Sequence, residues 1–387
     1  MRRVMTGLPL AALGWDDDWE RTFAPHRHAG SRPARVSGAY THVYRVLGEG
    51  IDHPARVSGR FRHEARGPQD FPTAGDWVAV RPDPSGAHMV IQALLPRRSR
   101  FSRRLAGAVT GEQVVAANVD IVFLMMGLDG DYNLRRLDRY LVLAWESGAR
   151  PVVLLNKADL VVDAPVRVAE VERHAPGVPV HAISAARGSG LEALAPYLAP
   201  ARTIALLGSS GVGKSSLINR LAGQEVMRIG DVRSDDRRGR HTTRHRQLVV
   251  LPGGALFIDT PGMRELQLWE AGEGFTEAFE DIEALARGCR FADCGHRTEP
   301  DCAVQQAVQE GRLPPERLDS YLKLKEELRA FAAEQERRAR VEARRARGAS
   351  AARGRQATRR PSKTHADESE GDEWDEDVGP APSDDVE

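Results

Sequence analysis

The chain has 387 residues, 41% of them hydrophobic, and a formal net charge of zero. This length has room for two or three domains, and no apolar segment approaches the roughly 18 residues of a membrane-spanning helix. The N-terminal apolar stretch is short and runs into a cluster of aspartates. We therefore expect no signal peptide, no membrane partner and a cytoplasmic location.

The zero net charge conceals a segregation of charge along the chain. Residues 1–104 and 337–363 are rich in arginine, whereas residues 367–387 are dense in aspartate and glutamate. Such segregation favours a polyanionic partner. An arginine-rich solvated surface would give the same composition, and both interpretations stay open.

The N-terminal part predicts a small β-barrel. Residues 1–34 show no clear periodicity, whereas residues 35–104 contain short β-like runs separated by Gly and Pro. Closely spaced short strands are typical of a barrel of about 60 residues. The runs span residues 39–47, 55–61, 77–81 and 88–95, and a basic connector spans residues 97–104.

The middle of the chain predicts a doubly wound parallel sheet. Residues 119–126 form a continuous apolar run, as expected of a strand buried on both faces. Strands and helices then alternate, which is typical of an α/β domain. Further predicted strands are residues 151–155 and 204–207, and predicted helices are residues 134–146 and 214–222.

A glycine-rich loop follows the predicted strand at residues 204–207 and leads into the predicted helix at residues 214–222. This is the context that a phosphate-binding loop requires. Its backbone N–H groups can face phosphates, Lys214 can reach the β- and γ-phosphates, and Ser215 can offer its hydroxyl to Mg²⁺. A plain Gly/Ser loop is the alternative. The predicted loop comprises Gly208, Ser209, Ser210, Gly211, Val212, Gly213, Lys214, Ser215 and Ser216.

Two later segments complete the predicted phosphate site. Asp259-Thr260-Pro261-Gly262 ends an apolar run, so that Asp259 can hold Mg²⁺ through water and the Gly262 N–H can contact the γ-phosphate. Residues 239–243 supply a threonine for the same Mg²⁺. We assign that role to Thr243 in preference to Thr242.

The tetrapeptide Asn156, Lys157, Ala158 and Asp159 predicts recognition of guanine. A carboxylate at position 159 can accept hydrogens from guanine N1 and N2, whereas adenine has no such donor pair and would leave the buried charge unpaired. Asn156 would brace the loop, and the stem of Lys157 would cover the base. Ser184 and Ala185 follow another apolar run and complete the predicted site, with the Ala185 N–H directed at guanine O6.

The three cysteines of the chain lie together with one histidine. An odd, clustered set is a poor disulfide framework, and three thiolates with one imidazole suit a structural, tetrahedral Zn²⁺. Three buried thiols beside a surface histidine are the alternative. The predicted ligands are Cys289, Cys294, His296 and Cys302.

The guanine motif precedes the phosphate loop here, the reverse of ordinary GTPases. In this order, and with residues 239–243 (Gly-Arg-His-Thr-Thr) and the cysteine cluster, the chain resembles the RsgA (YjeQ) family of circularly permuted GTPases over roughly residues 35–335. The resemblance implies an OB-fold barrel, a permuted GTPase domain and a zinc domain that uses the same four ligands. It also implies binding to the 30S ribosomal subunit late in maturation, and GTP hydrolysis there.

The resemblance and the composition together predict five regions. Residues beyond about 348 have too little apolar content to fold and are expected to be disordered. The regions are an extension (1–34), the barrel with its connector (35–104), the GTPase domain (105–272), a helical zinc domain (273–347) and a tail (348–387).

The catalytic assignment rests partly on the resemblance. Met263 stands where Ras-like enzymes have a water-positioning Gln, so intrinsic turnover is expected to be slow. The family uses a histidine of the first switch, and His241 occupies that position, although contact of His241 with RNA phosphate is an alternative. We therefore assign catalysis to His241, Lys214 and Thr243. Because the chain leaves the GTPase domain after the second switch, we also expect GTP and GDP to orient the zinc domain differently.

The expected partners are GTP or GDP, the 30S subunit and its 16S rRNA, bound by a monomer. OB-folds bind RNA by stacking and phosphate attraction, and the connector at residues 97–104 is the main candidate. The helix at residues 326–347 is either solvated or RNA-contacting, and the acidic tail either shields basic surfaces or only solubilises the chain. The barrel aromatics, as core or stacking residues, are Tyr40, Tyr44, Phe61, Phe71 and Trp77.

Two other functions are consistent with parts of the sequence. A GTP-sensing, RNA-binding adaptor with negligible turnover would carry the same motifs. A P-loop kinase or ATPase is disfavoured because Asp159 selects guanine.

Overall fold

The structure, a computed structural model, describes residues 8–40, 43–104, 112–226, 246–259 and 272–357. Residues 1–336 form one compact unit and residues 337–387 a second. The elements described below belong to the first unit, apart from the end of the last helix. Within the described ranges, no helix combines the length and apolar content needed to cross a bilayer.

The N-terminal extension contains a helix that the sequence did not predict. α1 (Asp17–His28) begins where the Asp16 side chain accepts the Trp19 N–H at 3.0 Å, and acidic residues fill its first turn. Trp19 and Phe23, one turn apart, are buried in a cluster with Trp77 of the following domain. Because only these two residues form its buried face, the helix shows too little periodicity to be recognised from sequence.

Five strands of the next segment close into a barrel. They are β1 (Arg32–Ala39), β2 (Tyr44–Gly48), β3 (Ile51–Val57), β4 (Trp77–Pro82) and β5 (Met89–Leu94). The order is β1-β2-β3-β5-β4, and β1 pairs with β4 to close the ring. Val36, Val46 and Ile91 are fully buried in its core. The closed five-stranded barrel confirms the predicted OB-fold.

The predicted strand at residues 55–61 is wrong in its second half. β3 ends at Val57, and α2 (Gly59–Glu64) follows. The Ser58 hydroxyl accepts the Phe61 N–H at 3.1 Å and so caps this short helix. A serine before a short mixed segment is a helix-start signal that outweighs the local alternation.

A parallel sheet lies beyond the barrel, after a two-stranded ribbon of β6 (Arg100–Arg104) and β7 (Glu112–Ala117). Its order is β10-β9-β8-β11-β13-β12 within the described residues, and all neighbours are parallel except β12 and β13. The strands are β8 (Ile121–Gly127), β9 (Arg150–Asn156), β10 (Val180–Ala182), β11 (Thr203–Gly208), β12 (Arg246–Val250) and β13 (Leu256–Asp259).

Both faces of this sheet are covered, as predicted for a doubly wound domain. The helices concerned are α3 (Leu134–Ser147), α4 (Ala164–His174) and α5 (Lys214–Ala222). On β8, Val122 and Leu124 pack in the core shared with α3, whereas Ile121 and Phe123 pack in the core shared with α5. Alternate burial on opposite faces explains why residues 119–126 read as a continuous apolar run.

The barrel and the parallel sheet are physically joined. β1 pairs antiparallel with β12, which makes the two sheets continuous. The buried Arg35 side chain of β1 donates to the carbonyl oxygens of Leu13, Gly75 and Asn118, at 2.5, 3.1 and 3.1 Å. Burial lowers the pKa of Arg35 to about 10. This one guanidinium therefore holds the extension and the barrel against the start of the parallel sheet.

The C-terminal region is helical, as predicted, and is interrupted by the cysteine-bearing loop at residues 287–302. The helices are α6 (Glu273–Ala278), α7 (Glu280–Ala286), α8 (Ala303–Gln309) and α9 (Pro315–Ala357). α9 continues past residue 347, where we placed the start of the tail. Its Ala- and Arg-rich composition has high helix propensity, which favours continuation of the helix.

Candidate functional site

The glycine-rich loop predicted to bind phosphate lies between β11 and α5, the strand–loop–helix context that the prediction requires. Gly211 and Gly213 have φ values of +77° and +106°, a region that side chains disfavour. A Cβ atom added to Gly213 would lie 2.2 Å from Asn156 Nδ2. The buried Lys214 side chain donates from Nζ to the carbonyl oxygens of Gly208 and Ser209, at 2.7 and 2.6 Å. Its charge is therefore held directly over the loop.

Asn156, at the end of β9, joins three loops. Its buried Nδ2 donates to the Val212 carbonyl of the phosphate loop at 2.7 Å, and its Oδ1 accepts the Ala185 N–H at 2.9 Å. The Gly213 backbone packs against the same amide. The motif at 156–159, the phosphate loop and the loop that begins at Ser184 thus form one site, although they are separated in sequence.

The acidic residue of the tetrapeptide is held by its neighbours. The Ser184 hydroxyl donates to the Asp159 carboxylate and, together with the nearby Arg187 guanidinium at 3.3 Å, lowers the pKa of Asp159. Asp159 is only 13% exposed. It is thus kept ionised as an acceptor, the state that recognition of paired donors requires.

Lys157 has a partner that the sequence did not indicate. Its Nζ lies 2.5 Å from Asp129 Oδ2, on the loop between β8 and α3. The backbone of Lys157 has φ of +65°, so the residue stands in a tight left-handed turn. The sequence also did not indicate that Tyr140 of α3 contacts the predicted phosphate loop. The Ser209 side chain donates to the Tyr140 hydroxyl, but burial of the ring still raises the pKa of Tyr140.

The second half of the phosphate site is described only in part. β13 pairs in parallel with β11 and ends at Asp259, so Asp259 reaches the sheet edge that carries the phosphate loop. Ser215 and Ser216 lie in the first turn of α5, half-buried. Positions outside the described residues are His241, Thr242, Thr243, Gly262 and Met263.

The cysteine cluster is assembled by the loop between α7 and α8. Its four possible ligand atoms all lie within 4.8 Å of one another. His296 Nδ1 is 3.6 Å from Cys289 Sγ and 3.5 Å from Cys302 Sγ, and the two sulfurs are 3.9 Å apart. With Cys294 completing the set, these side chains can hold a metal ion.

Glu299 organises the same loop. Its carboxylate accepts the N–H groups of Arg297, Gly295 and Thr298, at 2.8, 2.8 and 3.0 Å. These bonds lower the pKa of Glu299 to about 2. They also support the left-handed backbone of His296 (φ +57°), and with it the direction of the imidazole.

Comparisons with known proteins show the family to which the chain belongs. A family model described as RsgA GTPase matches residues 94–269. The small ribosomal subunit biogenesis GTPase RsgA of Opitutus terrae is 49% identical over 335 residues, which cover 84% of this chain and 91% of that protein. The protein of the same name from Methanosarcina acetivorans is 45% identical over 317 residues, or 81% and 84% of the two chains. The chain belongs to the RsgA GTPase family.

Two solved structures have the same fold. The crystal structure of YjeQ from Thermotoga maritima superposes with a TM-score of 0.59 at 28% identity, over 77% of this chain and 98% of that one. YloQ, described as a circularly permuted GTPase, superposes with a TM-score of 0.58 at 24% identity, over 79% and 97% of the chains. The permuted fold predicted from motif order is therefore confirmed, and this RsgA-family protein is a GTPase.

Part of the predicted RNA-contacting surface has to be corrected. Arg97 of the connector is almost buried, and its guanidinium binds both carboxylate oxygens of Asp76 at 2.8 Å and the carbonyl oxygens of Gln69 and Phe71. It is a structural residue, not one available to RNA. The connector pattern could not show this, because Asp76 is distant in sequence.

The barrel aromatics also differ in how far they are buried. Tyr44 and Trp77 are buried core residues, whereas Tyr40, Phe61 and Phe71 are half-buried. Arg98 stacks over Trp19 at 4.3 Å and pairs with Asp16. The Arg98 side chain thus helps to dock α1, so the connector offers fewer arginines for contact with RNA than its sequence suggests.

Proposed function

We propose that this GTPase acts in biogenesis of the small ribosomal subunit and hydrolyses GTP when bound to that subunit. The names of its relatives support the process, and the OB-fold barrel supports contact with rRNA. Binding of 16S rRNA by a monomer in the cytoplasm belongs to the same proposal.

The assignment of a guanine nucleotide to the site depends most on Asn156, because this residue ties the phosphate loop to both base-reading loops. In the proposed complex, Asp159 accepts guanine N1–H and N2–H, and the stem of Lys157 covers the base. The Ala185 N–H would contact guanine O6 while it shares its hydrogen with Asn156 Oδ1.

The phosphate end of the proposed complex uses residues 208–216. Lys214 would turn from the carbonyls of its own loop to the β- and γ-phosphates, whose negative charge it neutralises. Ser215 and Thr243 would ligate Mg²⁺, which supplies charge stabilisation when bound. Asp259 would hold the same ion through water, the Gly262 N–H would contact the γ-phosphate, and His241 would orient the attacking water.

Stimulation by purified small ribosomal subunits tests this function. Because Met263 cannot orient water, we expect phosphate release to be slow alone and at least about tenfold faster with subunits. Lys214→Ala should lower the stimulated rate by about a hundredfold or more, yet still bind the subunit. Subunit binding without any acceleration by the unmodified protein would instead support the GTP-sensing adaptor.

We also propose that the cysteine cluster holds one structural zinc ion. In tetrahedral zinc sites the sulfurs lie about 3.8 Å apart, and sulfur lies about 3.5 Å from nitrogen. The separations of 3.9, 3.6 and 3.5 Å in this cluster fit that geometry. His296 would bind through Nδ1, the nitrogen that faces the sulfurs.

Removal of one of the four metal-binding side chains should abolish zinc binding. We expect Cys302→Ser to lower bound zinc from one equivalent to nearly none and to expose the loop at residues 287–302 to proteolysis. Asp293→Ala is the matched control, because Asp293 is exposed between two ligands and should leave zinc content unchanged. Metal analysis of both purified variants decides this; full zinc in Cys302→Ser would contradict the site.

A further inference from the structure

The loop proposed to read the base is supported by a residue outside every nucleotide-binding motif. Arg220 donates from Nε to the Ala185 carbonyl at 3.4 Å and from Nη2 to the Ala186 carbonyl. Gly188 of the same loop packs on the guanidinium, since a Cβ added there would lie 3.6 Å from Arg220 Cζ. The side chain thus spans the outer side of the loop.

Arg220 belongs to the helix that begins at the phosphate-binding lysine. α5 starts at Lys214, and Arg220 lies in its last turn. In the described part of the chain, Arg220 forms no ion pair with a carboxylate, and its guanidinium donates to the two loop carbonyls. A rigid helix therefore connects the phosphate end of the site to the base-reading end.

The two hydrogen bonds from Arg220 set the orientation of the neighbouring peptide groups in the loop. A peptide unit is planar and trans, so a carbonyl that points at α5 turns the next N–H away from it. The carbonyl of Ala186 points at Arg220, and the N–H of the next residue, Arg187, donates to Ser184 Oγ at 3.1 Å. Ser184 in turn donates to Asp159. A continuous chain of contacts therefore runs from Arg220 to the carboxylate that would bind guanine.

Asn156 holds the same loop from the opposite side. It accepts the Ala185 N–H, while Arg220 binds the Ala185 carbonyl. Asn156 belongs to the guanine motif, whereas Arg220 belongs to none. Only the folded structure brings Arg220 to the loop, because it lies 34 residues beyond Ala186 in the chain.

We propose that Arg220 is a positioning residue for guanine recognition, and this inference rests on the proposed base site. It sets the loop at residues 184–188 so that the backbone donor meets guanine O6 and Ser184 orients Asp159. Because its side-chain contacts within the described residues are to this loop and not to Lys214 or Ser215, we expect it to affect binding of the base and to leave the chemical step unchanged.

The test compares Arg220→Ala, Arg220→Lys and Arg173→Ala in the full-length protein. Arg173 is the matched control, because its exposed guanidinium binds the Ala169 carbonyl within its own helix at 3.3 Å. Affinities for fluorescent GTP, GDP and ATP analogues are measured by titration. Rates with small ribosomal subunits are measured at saturating GTP.

We expect Arg220→Ala to weaken GTP and GDP equally, by about fivefold, and to reduce the preference for GTP over ATP by a similar factor. Arg220→Lys should recover part of the affinity, because an ammonium group can reach one carbonyl. The saturated rate should stay within about twofold of the unmodified protein. Arg173→Ala should match the unmodified protein throughout.

Three results would overturn the proposal. Unchanged affinity in Arg220→Ala would show that the contacts have no role. Equal loss of GTP and ATP binding would indicate a general structural effect, and loss confined to GTP would place Arg220 at the γ-phosphate. The variant Asp159→Asn separates these three results from failure of the base site itself. If Asp159→Asn keeps the preference for GTP over ATP, the assignment of the base site is wrong, and the proposed role of Arg220 is wrong with it.

Discussion

Replacement of Asp138 by alanine is expected to lower the free energy of unfolding by about 3–5 kcal/mol. Asp138 lies on α3 and is fully buried. Its carboxylate accepts from Arg317 Nη1 at 2.6 Å and from the Ser320 hydroxyl, and His174 Nε2 lies 2.8 Å away. Without the carboxylate, three buried polar groups lose their shared partner.

The remaining partners of Arg317 cannot compensate for this loss. Arg317 is 2% exposed and also binds Asp281 at 3.1 Å and the Ala278 carbonyl at 2.6 Å, and it stacks over Phe279 at 4.3 Å. A buried guanidinium with part of its charge unmatched is strongly destabilising. Since Asp138 and Arg317 belong to the parallel-sheet region and to α9, the C-terminal helices should loosen first.

Urea unfolding monitored by fluorescence and by limited proteolysis checks this expectation. Asp319→Ala is the control, because Asp319 forms an exposed pair with Arg135 at 2.6 Å and should change stability by less than about 1 kcal/mol. The explanation fails if the two variants unfold at the same urea concentration.

Replacement of Asp159 by asparagine is expected to weaken GTP binding by about a hundredfold to a thousandfold. Guanine offers hydrogens from both N1 and N2, and a carboxylate accepts both. An asparagine keeps the shape but presents one N–H₂ group, which meets a guanine donor and repels it. Xanthine carries an oxygen at position 2, so the same variant should gain affinity for XTP.

Titration with fluorescent GTP, GDP and XTP measures this change of specificity. Asp163→Asn is the control, because Asp163 forms an exposed pair with Arg167 at 3.2 Å only four residues further on. GTP and GDP should weaken together in Asp159→Asn, since the base is common to both. An unaltered GTP affinity would remove Asp159 from the base site.

Local patterns in the sequence were sufficient for the architecture. The apolar run at residues 119–126 indicates a strand buried on two faces, and β8 has that burial. Short runs with Gly and Pro between them predict the barrel, which the structure closes through β1 and β4. Among the elements that the sequence did not predict, α1 and α2 are helices with few buried or capping residues, whose signals are a few residues long and are easily masked by their neighbours.

The sequence by itself determined the motif order, and hence the permuted GTPase fold, and it determined which four residues can bind a metal. These features depend on residue type and spacing within short segments, and can therefore be recognised directly in the sequence. Tertiary structure alone decided which arginines are structural: Arg97 binds Asp76, Arg317 binds Asp138, and Arg220 binds the loop at residues 184–188. In sequence a buried arginine looks like an exposed one, because its role is set by carboxylates and carbonyls that only folding brings within hydrogen-bonding distance.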